Sequence, residues 1–183
     1  ENELRNGWDG VTNSAWTDVA FDNSQMQKHN VSFTNGSENG NYYLSLTYLD
    51  NNGIVKGDVD VYKRLTATIN SEYAIKPWLK VGTTNQIEKF NIRSVSMNNE
   101  YGSLLTPILQ LDPLTPDTYA ADKLPAHMQT ALNNGKHLLK NENGDYYAVS
   151  KYYAGEQFHP MIMRDNNIGK NSGFNVNGSI YSD

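Results

Sequence analysis

Carboxylates come first among the residues whose types could do chemistry. Asp112 and Asp117 flank proline-rich turns, and Glu88, Glu100 and Asp122 lie near them in sequence. Two carboxyl groups about 5–9.5 Å apart serve glycoside hydrolysis, one as acid and the other as nucleophile or base. The chain holds 20 acidic residues, and solvation or turn capping accounts for carboxylates of this kind, so no catalytic residue is expected. His29, His127, His137 and His159 show no His-x-x-x-His or similar ligand spacing, and no metal site is expected. Asp50–Gly53 and Asn141–Asp145 resemble pieces of calcium loops. Neither places Gly at position 6 with Glu at position 12, and Asx-rich turns explain both. Zero cysteines exclude disulfides, thiolate zinc sites and thiol nucleophiles. The reading is of a chain that is not an enzyme and needs no cofactor.

Aromatic residues are the other candidates, because a ring face suits the C–H face of a sugar. Trp8 and Trp16 lie in a stretch rich in Asn, Gly, Ser and Asp, read as a loop over residues 1–27 with a helical turn from Trp16 to Phe21. Loop packing competes with sugar stacking as the role of both.

The elements that must position these residues are strands. Tyr42, Leu44, Leu46 and Tyr48 share one face of a run, with Tyr43, Ser45 and Thr47 on the other. Leu65, Ala67, Ile69 and Tyr73 oppose Arg64, Thr66, Thr68, Asn70 and Glu72. Leu79, Val81 and Thr83 oppose Lys80, Thr84, Gln86 and Glu88, and near the end Phe174, Val176 and Ile180 oppose Asn175, Asn177 and Ser179. Alternation at period 2 gives each strand one face for an apolar medium and one for water. Strands are expected at Lys28–Thr34, Asn41–Asp50, Tyr62–Tyr73, Trp78–Phe90 and Gly173–Tyr181. Several of these runs, at about nine to twelve residues, exceed the globular mode of about 5–6 and suit tilted membrane strands.

Two connections are short, Asn35–Gly40 and Ala74–Pro77, and two are long, Asp50–Val61 and Asn98–Asn171. In the long excursion Pro107, Pro113, Pro116 and Pro125 break any strand. Pro125–Leu132 reads as a short helix, and His137–Val149 as a hairpin turning at Asn141–Asp145. Alternate short and long connections are the pattern of an outer-membrane barrel, short on the periplasmic side and long outside. The domain reading is therefore 1–27 extracellular loop, 28–97 four antiparallel barrel strands, 98–171 extracellular loop, and 172–183 the next strand. Both ends read as cut from a longer protein.

Composition permits this. The apolar share is 38%, thin for one soluble core but enough for a wall that is apolar on one face. There is no apolar run long enough for a transmembrane helix, and a membrane strand would not register in such a scan. The net charge of −5 argues against nucleic acid, and no basic cluster for anionic lipid headgroups is expected.

The same stretches carry a family resemblance. Asn30–Glu38 (Asn-Val-Ser-Phe-Thr-Asn-Gly-Ser-Glu), Tyr42–Asp50 (Tyr-Tyr-Leu-Ser-Leu-Thr-Tyr-Leu-Asp) with Gly53-Ile-Val55, Tyr62-Lys-Arg64 and Trp78–Gly82 (Trp-Leu-Lys-Val-Gly) resemble the first part of the barrel in SusC/RagA-type TonB-dependent outer-membrane transporters. Ala15–Phe21 resembles that family's Asp-Trp-x-Asp-x-x-Phe segment, with Ala15 where Asp is usual. His159-Pro160 and Gly173–Tyr181 resemble its next long loop and strand.

The resemblance implies an all-β fold, about five antiparallel strands of a plugged barrel of roughly 22 strands with long extracellular loops. It implies a multi-pass protein of the bacterial outer membrane, importing oligosaccharides or peptides. A SusD-like surface lipoprotein would act as lid, and TonB would engage a segment outside this chain. Tyr42, Tyr48, Tyr73 and Trp78 would form aromatic girdles against outer-membrane lipid. The polar faces would meet a plug or substrate, and Trp8, Trp16, Tyr101, Tyr119, Tyr146 and Tyr152 become the candidates for substrate or lid contact. The rival readings are a soluble carbohydrate-binding β-sandwich and a glycoside hydrolase fragment.

Overall fold

The computed structural model describes residues 7–97, 102–153 and 158–183. It divides into two compact units, one made of Asn23–Ser94 and Gly169–Asp183, the other of the chain up to Asp22 with Val95–Ile168.

The first unit is a five-stranded sheet. Its strands are β1 (Gln25–Ser37), β2 (Gly40–Asn52), β3 (Val61–Lys76), β4 (Leu79–Val95) and β7 (Ile168–Ser182), in the order β1-β2-β3-β4-β7. They run 13, 13, 16, 17 and 15 residues; β1, β2, β3 and β7 extend beyond the apolar alternation at both ends, while β4 begins one residue later than expected, at Leu79, and runs on past Phe90 to Val95. The added ends are mostly polar, with Gln25, Asn51 and Asn91 among them, because backbone pairing continues after the regular alternation stops.

Every described pairing is antiparallel and the registers hold over long spans, with Val31↔Leu46, Leu46↔Ala67 and Ala67↔Ile87 in one line across four strands. Ser37 pairs with Gly40 and Lys76 with Leu79, so both short connections close as two-residue turns. Pro77 sits in the second turn, where its missing N–H costs no ladder bond. The register shifts between Ala74 and Lys76, as a bulge beside a turn does.

Lys80 and Asp183 exchange both backbone bonds, at 2.8 and 3.0 Å, which sets the β4–β7 register. Counting from that pair puts Gly82 opposite Tyr181 and Gly173 opposite Phe90. At both places a side chain on the glycine would run into the partner's ring. The two glycines let Tyr181 and Phe90 lie flat across the neighbouring strand.

The register separates the faces of the sheet. One is polar and bonded within itself. Asn30 Nδ2 donates to Ser45 Oγ at 2.9 Å and to Thr47 Oγ1 at 2.7 Å. Arg64 lies 3.6 Å from Glu88, and Asn175 Nδ2 donates to Glu88 Oε1 at 3.3 Å. Lys80 lies 3.7 Å from Glu72, whose Oε2 also accepts from the Tyr181 hydroxyl at 3.2 Å. The other face carries Val31, Phe33, Leu46, Leu65, Ile69, Phe174, Val176 and Ile180, and it is exposed. Leu65 is 51% exposed, Phe33 58% and Phe174 65%.

The second unit obeys the usual rule, apolar inside. It holds α1 (Trp16–Ala20), α2 (Leu105–Gln110), α3 (Ala126–Asn133), α4 (Pro160–Asn166) and a two-stranded ribbon of β5 (Thr118–Tyr119) with β6 (Tyr146–Tyr147). Helices α1, α2 and α4 pack on one another, and Trp16, Ala20, Leu104, Ile108, Met128 and Met161 are buried.

Two of these helices, α2 and α4, fall where the sequence pattern reads proline only as a strand breaker or a loop residue. Pro160 opens α4 at its first turn, where no N–H is needed, and His159 Nδ1 caps it by accepting from Met161 N at 3.2 Å. In the hairpin, Asn141 Oδ1 accepts the amides of Asn143 and Asp145 at 2.9 and 3.0 Å, and Gly144 takes φ +87°. The second arm of that hairpin pairs with Thr118–Tyr119 as well.

Candidate functional site

Two features of the molecule stand open to solvent, the exposed apolar face of the sheet and a cleft in the helical unit. On the apolar face, rings cluster at the ends of the strands. Tyr42, Tyr73 and Trp78 stand at the short-turn end, and Trp78, on the turn itself, is 76% exposed. Tyr48 stands towards the other end, level with Leu65 and, by register, Phe174. Between these levels the face is Leu, Ile, Val, Ala and Phe, broken by Ser71, Thr83 and Asn85. On the opposite face Arg64 Nε and Asn70 Oδ1 are shielded from solvent and have no hydrogen-bond partner among the described residues. Such groups are ordinarily paired, by protein or by water.

The cleft, of about 180 Å³, is lined by Asp9, Thr12, Tyr119, His127, Lys151 and Tyr152, among others. Its wall begins with an Asx-type turn. Asp9 Oδ1 accepts the amides of Val11 at 2.9 Å and Thr12 at 2.7 Å, while Oδ2 accepts the Thr12 hydroxyl. The Thr12 hydroxyl, then the Thr12 and Val11 amides, hold the Asp9 carboxyl below the ordinary carboxylate range. Trp8 Nε1 donates to Thr12 O at 2.7 Å, and the residue is 41% exposed. Across from it the Lys151 ammonium donates to Gly7 O and lies 5.1 Å from the centre of the Tyr152 ring. Burial, then the neighbouring Tyr152, Asp9 and Asp112, push the Tyr119 phenol up, so it stays a neutral donor. His127 Nε2 bonds Val149 O at 2.8 Å.

Of the aromatic candidates, Tyr119 and Tyr152 line this cleft, and Trp8 lies between two of its lining residues, Gly7 and Asp9, in sequence without lining it. Tyr146 pairs with Tyr119 along the ribbon but lies under the Lys140 ammonium, 4.4 Å from its ring centre, and does not line the cleft. Tyr101 lies outside the described residues. Trp16 is 5% exposed, with Nε1 donating to Asp112 O at 2.8 Å and its ring 5.5 Å from that of His159. It is a packing residue and offers no free face to a sugar.

Asp112 and His159 are held in structural hydrogen bonds. Asp112 accepts from Leu114 N, Thr115 Oγ1 and the Ser150 hydroxyl, which makes it the centre of a turn. His159 is buried, with Nε2 donating to Asp117 O at 3.0 Å and its ring 4.6 Å from that of Tyr147. His29 lies on the apolar face opposite Tyr48, and Glu100 lies outside the described residues. No group of three or more His, Cys, Asp or Glu able to hold a metal occurs among the described residues. Sequence reasoning missed Asp9, His127 and Lys151. The Asp9-x-x-Thr12 spacing signals a side-chain-capped turn, but nothing local links it to Lys151.

No family model matches the chain. Over 112 residues it is 34% identical to the TonB-dependent receptor SusC of Bacteroides thetaiotaomicron, a match covering 58% of this chain and 10% of that protein. The chain thus spans about a tenth of the length of the relative it matches. That partial similarity is to a receptor rather than to an enzyme.

Proposed function

We propose that this chain is a section of the wall, with its outer loops, of a TonB-dependent transporter in the bacterial outer membrane. The observation that carries the proposal is the apolar face across five long antiparallel strands, which stands exposed among the described residues while the opposite face is polar. In water that arrangement leaves hydrocarbon unburied over several strands, far beyond the scattered exposure normal on soluble surfaces. Against lipid it is the stable arrangement. Similarity to a TonB-dependent receptor supports the same reading.

The sheet has free edges at β1 and β7, and open edges are not tolerated in hydrocarbon. Further strands must pair there, which fits a closed barrel of roughly 22 strands around a plug. The polar face, with Arg64 Nε and Asn70 Oδ1 unpartnered, is suited to a plug or to water. Tyr42, Tyr73 and Trp78 form one aromatic girdle and Tyr48 part of the other. The loop of residues 1–27 and the excursion 98–171 lie outside the membrane, residues 28–97 and 172–183 supply strands, and the short turns face the periplasm.

The cargo on this reading is an oligosaccharide or peptide, and a SusD-like lipoprotein covers the loops. TonB engages a segment outside this chain. Trp8, Tyr119 and Tyr152 are the residues placed to meet cargo or lid, since rings that are exposed or line a polar cleft suit sugars and peptides alike. A β-sandwich binding module is disfavoured because it would bury the apolar face under a second sheet about 10 Å away.

The test is a blot of fractionated native membranes with an antibody against residues 102–153. A band several times the size of this chain in the outer-membrane fraction, bringing down a lipoprotein, supports the reading. A soluble band near 20.6 kDa sinks it.

A further inference from the structure

A hollow of about 550 Å³ lies at the long-connection end of the sheet, lined by Asn52, Asp58, Lys63, Arg93, Lys170 and Ser172, among others. Register decides which face it belongs to. Lys63 is on the same side of β3 as Leu65, and Arg93 pairs with Val61, also on that side. Counting from the Lys80–Asp183 pair puts Lys170 opposite Arg93 and Ser172 opposite Asn91. One step nearer the middle of the sheet, Lys89 pairs with Leu65. Four cations from three strands therefore line one rim of the apolar face, beginning level with Tyr48 and Leu65.

Their charge is only partly answered. Lys63 lies 3.0 Å from Asp50, and Arg93 Nη1 donates to the backbone carbonyl of Asp58 at 3.1 Å. Lys89 and Lys170 have no acidic partner among the described residues. The opposite rim of the same face ends instead in Tyr42, Tyr73, Ile75 and Ile180. From Leu65 to Lys63 is two residues, about 7 Å along a strand, so the cations begin where hydrocarbon would give way to headgroups. No two of the four are adjacent in sequence, so no basic run marks them; only the sheet assembles them.

We infer that Lys63, Lys89, Arg93 and Lys170 bind the phosphate of a lipid headgroup, with the acyl chains lying down the apolar face below. The two chemistries are continuous on one surface, which a soluble anion would not use. Guanidinium and ammonium groups suit phosphate, and Asn52, Asn91 and Ser172 add neutral donors. The inference rests on the proposal that this face meets lipid.

The test uses the full protein extracted from native outer membranes, wild type and K63Q/R93Q/K170Q. Binding of fluorescent monophosphoryl lipid A and of its dephosphorylated form is measured in detergent at physiological and high salt. The triple variant is expected to bind the phosphorylated lipid about 100-fold more weakly, near fivefold per cation, with the dephosphorylated lipid unaffected. High salt should weaken the wild type in the same direction. The charge-preserving variant K63R/R93K/K170R should keep its affinity, and loss there overturns the assignment of charge. Equal wild-type affinity for both lipids overturns the proposal, as does full displacement by millimolar inorganic phosphate, which would make the hollow a free-anion site. Recovery of the wild type without detergent would instead sink the transporter reading itself.

Discussion

Leu46 is the position at which the two possible environments of the sheet predict opposite results. It lies on the apolar face between Val31 on β1 and Ala67 on β3, and between the Tyr42 and Tyr48 levels. Its side chain is 46% exposed. If water covered this face, Leu46→Arg would trade a half-exposed leucine for a solvated cation. The loss would be at most the buried half of a leucine's transfer energy, about 1 kcal/mol. Near a bilayer midplane an arginine on the lipid face costs about 2–4 kcal/mol. That is about 30-fold to several hundred-fold in the folding equilibrium. The control is Ser32→Arg, on the polar face and exposed, expected within about 0.5 kcal/mol of wild type. The assay is reversible denaturant unfolding of the full protein in lipid vesicles, followed by gel mobility and tryptophan fluorescence. A Leu46→Arg variant within about 1 kcal/mol of Ser32→Arg refutes the argument that this face meets lipid.

Three further outcomes follow from the packing. Trp16→Ala removes a buried ring together with its bond to Asp112 O; about 3–5 kcal/mol should be lost from the helical unit, read as faster protease cleavage within residues 105–166. Asp9 is held low by Thr12 and Val11, so its contribution to the turn is complete above the ordinary value of 3.8 and fades as pH falls through its own lower value. The Val11 and Thr12 amide signals should therefore titrate with a midpoint below 3.8, and a midpoint at or above it contradicts the turn. Gly82→Ala places a methyl in the space of the Tyr181 ring and should cost about 1–3 kcal/mol. Combining it with Tyr181→Ala should recover part of that loss in a double-mutant cycle.

The strands were legible in the sequence because alternation is local. Tyr42 through Tyr48 and Leu65 through Ile69 declare two faces without any knowledge of neighbours. Their ends were not, because Asn91 and Arg93 extend β4 through backbone pairing with β3 that no side-chain pattern announces. The helices α2 and α4 were missed for a related reason. Pro107 and Pro160 each lie in the first turn of a helix, where proline is tolerated, yet in a loop-like sequence they read as breakers. Aromatic type alone did not separate Trp8 from Trp16. One is held at a surface turn by Thr12 O and the other in a core by Asp112 O, and that difference depends on a residue 96 positions away. The basic rim is the extreme case, since Lys63, Arg93 and Lys170 become neighbours only through strand register.

The two units obey opposite burial rules, and this limits what one solvent can explain. In the helical unit Leu104, Met128 and Pro160 are fully buried, as expected when water drives collapse. In the sheet Ser45 is buried and Arg64, Thr66 and Asn70 are half-buried on the polar face, while Leu65, Val176 and Ile180 stand exposed and Val61, at the end of the apolar face, is covered. Misplaced register does not account for this, because a one-residue slip would have to occur in every strand at once to turn the same residues outward. Nor does weak patterning, since the alternation is strong on each strand. The proposal that the sheet meets a second, apolar solvent on one side accounts for both rules. On that proposal the folding of this unit depends on lipid and on strands that close its edges, whereas the helical unit has a hydrophobic core of its own.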